Sequence, residues 1–196
     1  MKIFCLLFLF ILFYNSTLQA QEYVQFGAKG GVNFYNMTEY ATMYPTDNNI
    51  HTGFHIGLLA EIFVANKFSM QPEVLYSNQG TKARFERDTP PYGYEYAEWK
   101  FDYIQVPLLA KFYLIPALSI EVGPSINFLI KEEVSGMKTD WGSSFELGGA
   151  IGASYKIKDR FFGSARFIYG FTDAMKKEYE LGVNNYGMQL GLGFML

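Results

Sequence analysis

From residue 25 onward the chain alternates. In eight separate runs, apolar side chains take every second position, the spacing that places them on one face of an extended strand. The runs are 25–36, 52–64, 68–79, 99–114, 118–130, 143–157, 161–172 and 184–196. Each is long enough for a tilted membrane-crossing strand of about 9–11 residues. No later segment has the apolar length of a membrane-crossing helix.

The two faces of each run differ sharply. In the second run one face reads Phe54, Ile56, Leu58, Ala60, Ile62, Val64, and the other His55, Gly57, Leu59, Glu61, Phe63. In the fifth, Leu118, Ile120, Val122, Pro124, Ile126, Phe128 and Ile130 oppose Ser119, Glu121, Gly123, Ser125, Asn127 and Leu129. The apolar faces are almost free of charge, with Asp102 the exception and Lys100 before it, both at the end of their run. A water-soluble barrel would turn long charged residues outward. Here the polar face is rich in Gly, Ser, Asn and Gln, which suit a narrow interior, so the apolar face must meet lipid. Only a closed barrel then satisfies every backbone group where water is missing.

Aromatic residues make up 18% of the chain, and thirteen of the 36 fall in two bands on that apolar face. Phe26, Phe68, Phe112, Tyr155, Phe161 and Phe194 lie at one end of the runs. Phe34, Phe54, Tyr76, Phe128, Phe145, Phe171 and Tyr186 lie at the other. A general preference of aromatics for strands does not predict clustering at both ends of one face. Two girdles flanking an aliphatic band do.

The connections alternate in length. Tight turns fall at 65–67, 115–117 and 158–160, and long loops at 37–51, 80–98, 131–142 and 173–183. Short turns on one side and long loops on the other describe an all-β, eight-stranded antiparallel up-and-down transmembrane β-barrel. Counting back from the turns sets the register: Leu114 opposite Leu118, Lys111 opposite Glu121, Glu61 opposite Gln71, His55 opposite Ser77 and Gly152 opposite Arg166. Pro72, Pro107 and Pro124 sit within strands, where each removes a ladder donor, so bulges or local breaks are expected there.

The first twenty residues read as a secretory signal: Lys2, an apolar run over 3–14, then Thr17-Leu18-Gln19-Ala20 before Gln21. The expected division is a signal at 1–20 and a barrel domain at 21–196. Cys5, the only cysteine, lies in that signal, so the mature chain would hold no disulfide and no cysteine metal site. Without Lys2 the net charge passes from −3 to −4. That balance argues against nucleic acid as a partner.

Several segments resemble a known family. These are Phe26-Gly27-Ala28-Lys29-Gly30-Gly31-Val32-Asn33, Gln71-Pro72-Glu73-Val74-Leu75-Tyr76-Ser77, 103–111 (Tyr103 to Lys111), Val122-Gly123-Pro124 and 165–172 (Ala165 to Thr172). In this order they resemble the PorT-like outer-membrane β-barrel family of Bacteroidota, over essentially all of 23–196. The resemblance implies a Gram-negative outer-membrane location and suggests that the three prolines are family features. PorT itself is associated with type IX secretion, and that role is not carried over. Such barrels commonly finish on an aromatic, whereas this chain ends Phe194-Met195-Leu196.

The polar face carries Lys29, Lys111, Lys156 and Arg166 against Glu61, Glu73, Glu121 and Glu146. Four charges of each sign could line an ion path. They could equally form a packed network in which each buried charge is paired. An eight-stranded barrel has room only for its own side chains, which favours the network, with Glu73 and Arg166 at its centre. His55, Ser77 and Glu73 invite comparison with a catalytic triad, yet all three face the filled lumen. Gly27-Ala28-Lys29-Gly30-Gly31 lacks the Lys-Ser/Thr ending of a phosphate loop. Two histidines do not make a transition-metal site, and no EF-hand spacing is present. Tyr92, Tyr94 and Tyr96, among Pro and Gly in the second long loop, are candidates for external contacts, against the plainer reading of a solvated loop leaning on the rim.

The expectation is a non-enzymatic barrel without catalytic, cofactor or metal residues. It would act through its external loops or as a subunit of an envelope or secretion assembly. A narrow, porin-like solute channel is the alternative, and a lipid-modifying enzyme a more distant one. Partners are outer-membrane lipid and other envelope proteins.

Overall fold

Alternation on this scale becomes one closed sheet. The computed structural model describes residues 23–38, 47–87, 91, 93–175 and 182–196, and only the backbone at 23, 47–49, 83–87 and 94–96. Residues 1–20, read as the signal, lie outside the described residues. The strands are β1 (Tyr23–Met37), β2 (Asp47–Ala65), β3 (Phe68–Arg87), β4 (Gly93–Ile115), β5 (Leu118–Val134), β6 (Met137–Lys138), β7 (Phe145–Lys156), β8 (Phe161–Gly170) and β9 (Asn185–Met195). Eight of them form the staves. The two-residue β6 only folds back on the end of β5. Each stave pairs antiparallel with the next, and β1 pairs with β9 to close the ring.

The expected register holds through most of the ring. Lys111 faces Glu121, His55 faces Ser77 and Gly152 faces Arg166. Glu61 and Gln71 fall in a gap between Leu59–Glu73 and Ile62–Met70, two pairs with the same offset. Leu114 does not face Leu118. An irregularity between Tyr113 and Ile115 puts Ile115 there, closing the turn tightly over Pro116-Ala117.

The prolines break the ladder without shifting it. Around Pro72 the β2–β3 pairs 60/72 and 61/71 are missing. Beside Pro107 the β3–β4 pairs at 73/107 and 74/106 are missing, and beside Pro124 the β4–β5 pairs at 108/124 and 109/123. Each proline lacks its N–H toward the preceding strand, yet the offset is the same on both sides of every gap. The bulges lie elsewhere, near 50–55, 63–65, 102–103 and 113–115.

Three of the expected long loops are shorter than the sequence suggested. β3 runs on to Arg87 and β4 starts at Gly93, so most of 80–98 is paired strand, from Gly80–Lys100 to Arg87–Gly93. β2 begins at Asp47 and pairs with β3 from Asp47–Arg84 to Ile50–Thr81. β5 continues to Val134. The hydrophobic alternation of the sequence fades over these stretches while backbone pairing continues.

Side chains sort by face as the alternation demands. Leu58 is 67% exposed and Ile56 60%, while Glu61 and Glu73 are 2% and 1% exposed. All thirteen girdle aromatics are exposed or half-exposed on the outer face. Several touch across strands, including Phe54–Tyr76 with centroids 5.4 Å apart, Phe128–Phe145 at 5.8 Å and Phe161–Phe194 at 5.1 Å. Asp102, charged and on this face, accepts a 2.6 Å hydrogen bond from Asn78 at the outer rim.

The lipid-facing reading makes one substitution decisive. Leu58→Arg should lower the stability of the vesicle-inserted barrel by about 2–4 kcal/mol, the cost of a cation near the bilayer midplane. Urea titration in phospholipid vesicles checks this. An unchanged midpoint would place that face in water.

Candidate functional site

The lumen is filled in layers. Leu59, Phe162 and Met195 pack together toward the tight-turn end. Leu109, Ala150 and Ile168 form a second apolar cluster. At the long-loop end Met37, Phe101, Tyr103, Ala174 and Val183 make a third, with Trp99 and Leu129 against it. Polar side chains occupy the space between.

The centre of the polar part is Arg166 on β8. Its Nη1 and Nη2 donate to Glu73 Oε2 and Oε1 at 3.0 and 2.9 Å, a two-pronged contact, and its Nε donates to Glu121 Oε1 at 2.9 Å. The guanidinium is planar with five N–H donors in a fixed fork, so one arginine can serve two carboxylates. Around the ring, β3 and β8 are separated by β2, β1 and β9. The Arg166–Glu73 contact therefore crosses the full width of the lumen.

The remaining charges join this pair. Lys29 Nζ lies 3.3 Å from Glu73 Oε2. Gln71 donates to Glu73 Oε1 at 2.6 Å and accepts from Lys111 Nζ at 2.8 Å. Lys111 in turn lies 3.3 Å from Glu61 Oε1, which also accepts from Ser69 at 2.6 Å and from the Tyr113 hydroxyl. Ser154 donates to Glu121 Oε2 at 2.7 Å. Lys29, Lys111 and Arg166 thus balance Glu61, Glu73 and Glu121, and all six are at most 4% exposed.

Two of the eight expected network residues stand apart. Lys156 is half-buried near the tight turns, with its ammonium 4.9 Å from the Tyr113 ring centroid and 5.5 Å from that of Phe63, positions that suit cation–π attraction. Glu146 lies at the other end of the lumen, where Asn127 donates to its Oε1 at 3.1 Å.

His55, Ser77 and Glu73 do not form a relay. His55 Nδ1 is 2.7 Å from Asn33 Oδ1, and Asn33 Nδ2 donates to Ser77 Oγ at 3.1 Å, so Asn33 stands between histidine and serine. Glu73 is held by Arg166, Lys29 and Gln71. Gly27 to Gly31 lie inside β1, and a Cβ on Gly31 would come 2.6 Å from Gly191 Cα and 2.8 Å from the His55 ring, so this glycine serves close packing. Among the described residues no group of three or more His, Cys, Asp or Glu side chains could hold a metal ion. Tyr92 and the side chains of Tyr94 and Tyr96 lie outside the described residues.

Composition hid the amides. Gln79, Gln105, Asn127, Asn185 and Gln189 are all at most 2% exposed. Gln189 donates to Gln105 at 3.0 Å and Asn185 to Gln79 at 2.6 Å, tying β9 across to β4 and β3. Their signal in the sequence was inward parity alone.

The comparisons with known proteins agree with this architecture. The family model described as outer membrane protein beta-barrel domain matches residues 19–176, and the chain belongs to that family. The match is to the broad family, and nothing in it singles out the PorT-like branch. Among solved structures, Neisserial surface protein A is similar with a TM-score of 0.57 at 14% identity, covering 88% of this chain and 99% of that one. Ail, the attachment invasion locus protein of Yersinia pestis, gives a TM-score of 0.52 at 13% identity over 88% and 98%. OprG from Pseudomonas aeruginosa gives 0.51 at 14% identity over 91% and 98%. At these identities the likeness is one of fold. No curated protein matches the chain. Family and fold place it in the bacterial outer membrane.

Removing one partner of the central pair tests the network. Glu73→Ala leaves the Arg166 fork with Glu121 alone and should cost about 3–5 kcal/mol, as expected when a buried pair loses one member. Glu73→Ala combined with Arg166→Met should recover much of that loss. Urea unfolding in vesicles reads both, and a single variant as stable as the parent would refute the pairing.

Proposed function

We propose that this member of the outer membrane protein β-barrel family is a non-enzymatic contact protein, anchored by its lipid-facing surface and working through the sheet it projects outward. The observation that carries the reading is the β2–β3–β4 extension. Beyond the girdle level marked by Tyr76–Ile104, β3 and β4 stay paired from Asn78–Asp102 to Arg87–Gly93. Ten residues of strand at about 3.3 Å each reach roughly 30 Å. β2 joins this sheet at one edge from Asp47 to Ile50. β5 meets β4 only as high as Trp99–Val134, so β4 above that level has no described strand on its outer side. An unpaired edge is a template for an incoming extended segment. The backbone of Gly93 to Tyr96 falls on this edge, and tyrosines such as Tyr94 and Tyr96 are residues that suit protein contact.

The lumen supports the same reading. Three apolar clusters and a balanced charge network occupy it from end to end, which disfavours continuous solute passage. The partners proposed are outer-membrane lipid around the barrel and another envelope protein at the sheet. The protein would then be a surface contact or a subunit of an envelope assembly.

Replacing 84–96 by an Asn-Gly turn that joins Ala83 to Ala97 shortens the sheet and spares every stave. The shortened protein should fold normally and lose co-purification of its crosslinked partner from intact cells. Retention of the same partner would contradict the reading. In planar bilayers the parent should show no stable open level. A reproducible unitary conductance would favour the channel alternative.

A further inference from the structure

The outer surface of the barrel is not evenly convex. On β2 the outward side chains stand proud: Phe54, Ile56 and Leu58 are 51%, 60% and 67% exposed. On β7 the outward series Phe145, Leu147, Gly149, Ile151 is broken by a glycine. The register sets Gly149 beside Pro124 on β5 and Tyr169 on β8. Toward the tight turns, Ile151 lies between Val122 and Phe167. The result is an open cavity of about 480 Å³, with Gly149 and Pro124 at its floor and the rings of Phe167, Tyr169 and Phe171 along one wall. No charged side chain lines it.

Gly149 is not required by the backbone. At its inward-facing neighbours a Cβ would strike main chain, at 2.6 Å from the Tyr169 carbonyl oxygen for Gly148 and 2.4 Å from that of Ala165 for Gly152. At Gly149 the three nearest atoms all belong to the Phe171 ring, the first at 2.8 Å. That ring is 65% exposed and has room to swing away. Gly149 has no left-handed φ either. A larger residue would fit the strand here, and it would fill the floor of the cavity.

Depth and chemistry indicate the occupant. Gly149 lies four residues from Phe145 of the outer girdle and six from Tyr155 of the inner one, so the cavity opens toward the outer leaflet, beneath the girdle rings. It is continuous with the surface that meets lipid. From Leu147 to Ile151 it follows the strand for roughly 13 Å, which suits a stretch of hydrocarbon chain. We propose that this cavity holds one acyl chain of an outer-leaflet lipid and keeps it in place longer than the chains around the rest of the barrel. The proposal rests on the lipid anchorage of the previous subsection. A chain entering the recess passes from hydrocarbon to hydrocarbon, so no hydrophobic gain is involved and van der Waals packing supplies the preference. In the recess a methylene touches protein on several sides, and over the convex face of β2 on one.

The test uses the complete protein, refolded into dimyristoylphosphatidylcholine vesicles that carry a small share of a phospholipid with a diazirine at mid-chain. After irradiation, mass spectrometry of peptides compares the label on Ile151 and Phe167 with that on Leu58. The cavity wall should be labelled several-fold more strongly. Gly149→Leu should bring the wall down to the level of Leu58. Gly163→Leu should leave it high, because Gly163 lies outside the cavity and a Cβ there would meet nothing closer than Leu192 at 3.8 Å. Equal labelling of both faces in the parent would overturn the proposal and leave lipid anchorage standing, and this comparison needs no variant. Wall labelling that Gly149→Leu does not lower would overturn it as well. A wall labelled less than Leu58 would mean that a second protein copy covers the cavity, again against the proposal. Label on neither face would overturn the anchorage, and the acyl-chain site with it.

Discussion

One guanidinium ties the two sides of this barrel together. Arg166 reaches from β8 to Glu73 on β3, four positions round an eight-membered ring, and holds Glu121 on β5 with the same fork. Backbone ladders bind each strand only to its neighbours. A contact across the lumen instead constrains the cross-section and sets which side chains can sit above and below it. Glu61, Lys111, Gln71 and Lys29 are arranged around that fork, and the apolar clusters fill the space it leaves. In a narrow barrel the inner face cannot be solvated, so charge placed there must be paired side chain to side chain.

Outside, the constraint is reversed. Lipid supplies no hydrogen bonds, so the ring of strands must close. The three prolines show how much local loss a closed ring tolerates. Each opens its gap on the side of the preceding strand, and the pairing beyond keeps its offset. The register is held by the inner and outer faces together, since a one-residue slip would exchange charged and apolar faces along a whole stave.

Much of this was legible in the order of residues. Parity separated Leu58 from Glu61 and Ile120 from Glu121, because a strand in this setting has two solvents and only one arrangement satisfies both. The turns then gave Lys111 opposite Glu121 and Gly152 opposite Arg166 by counting. Counting reaches only neighbouring strands, however. Glu73 and Arg166 could be expected at similar depth, but Glu121 as the second acceptor depends on the shear of the closed ring. The isolation of Glu146 from Lys156 was hidden for the same reason: equal numbers of charges say nothing about their depth. The projecting sheet was missed where the physics that writes alternation stops. Thr81 is the last buried residue of β3 among those described, and beyond it residues that read as loop remain paired as strand.

The central claim is that side chains, not water, occupy the lumen. Ser125 on β5 is completely buried, and its hydroxyl accepts from Gln105 at 3.2 Å and donates to Asn127 at 3.2 Å. In a chain whose own Cys5 is removed or replaced, a thiol introduced by Ser125→Cys reports directly on that space. The account predicts that a water-soluble maleimide leaves it unlabelled in the folded barrel, labels it fully after unfolding, and labels Lys158→Cys at the exposed turn without delay. Labelling of Ser125→Cys in the folded protein as fast as at Lys158→Cys would mean an open, water-filled lumen.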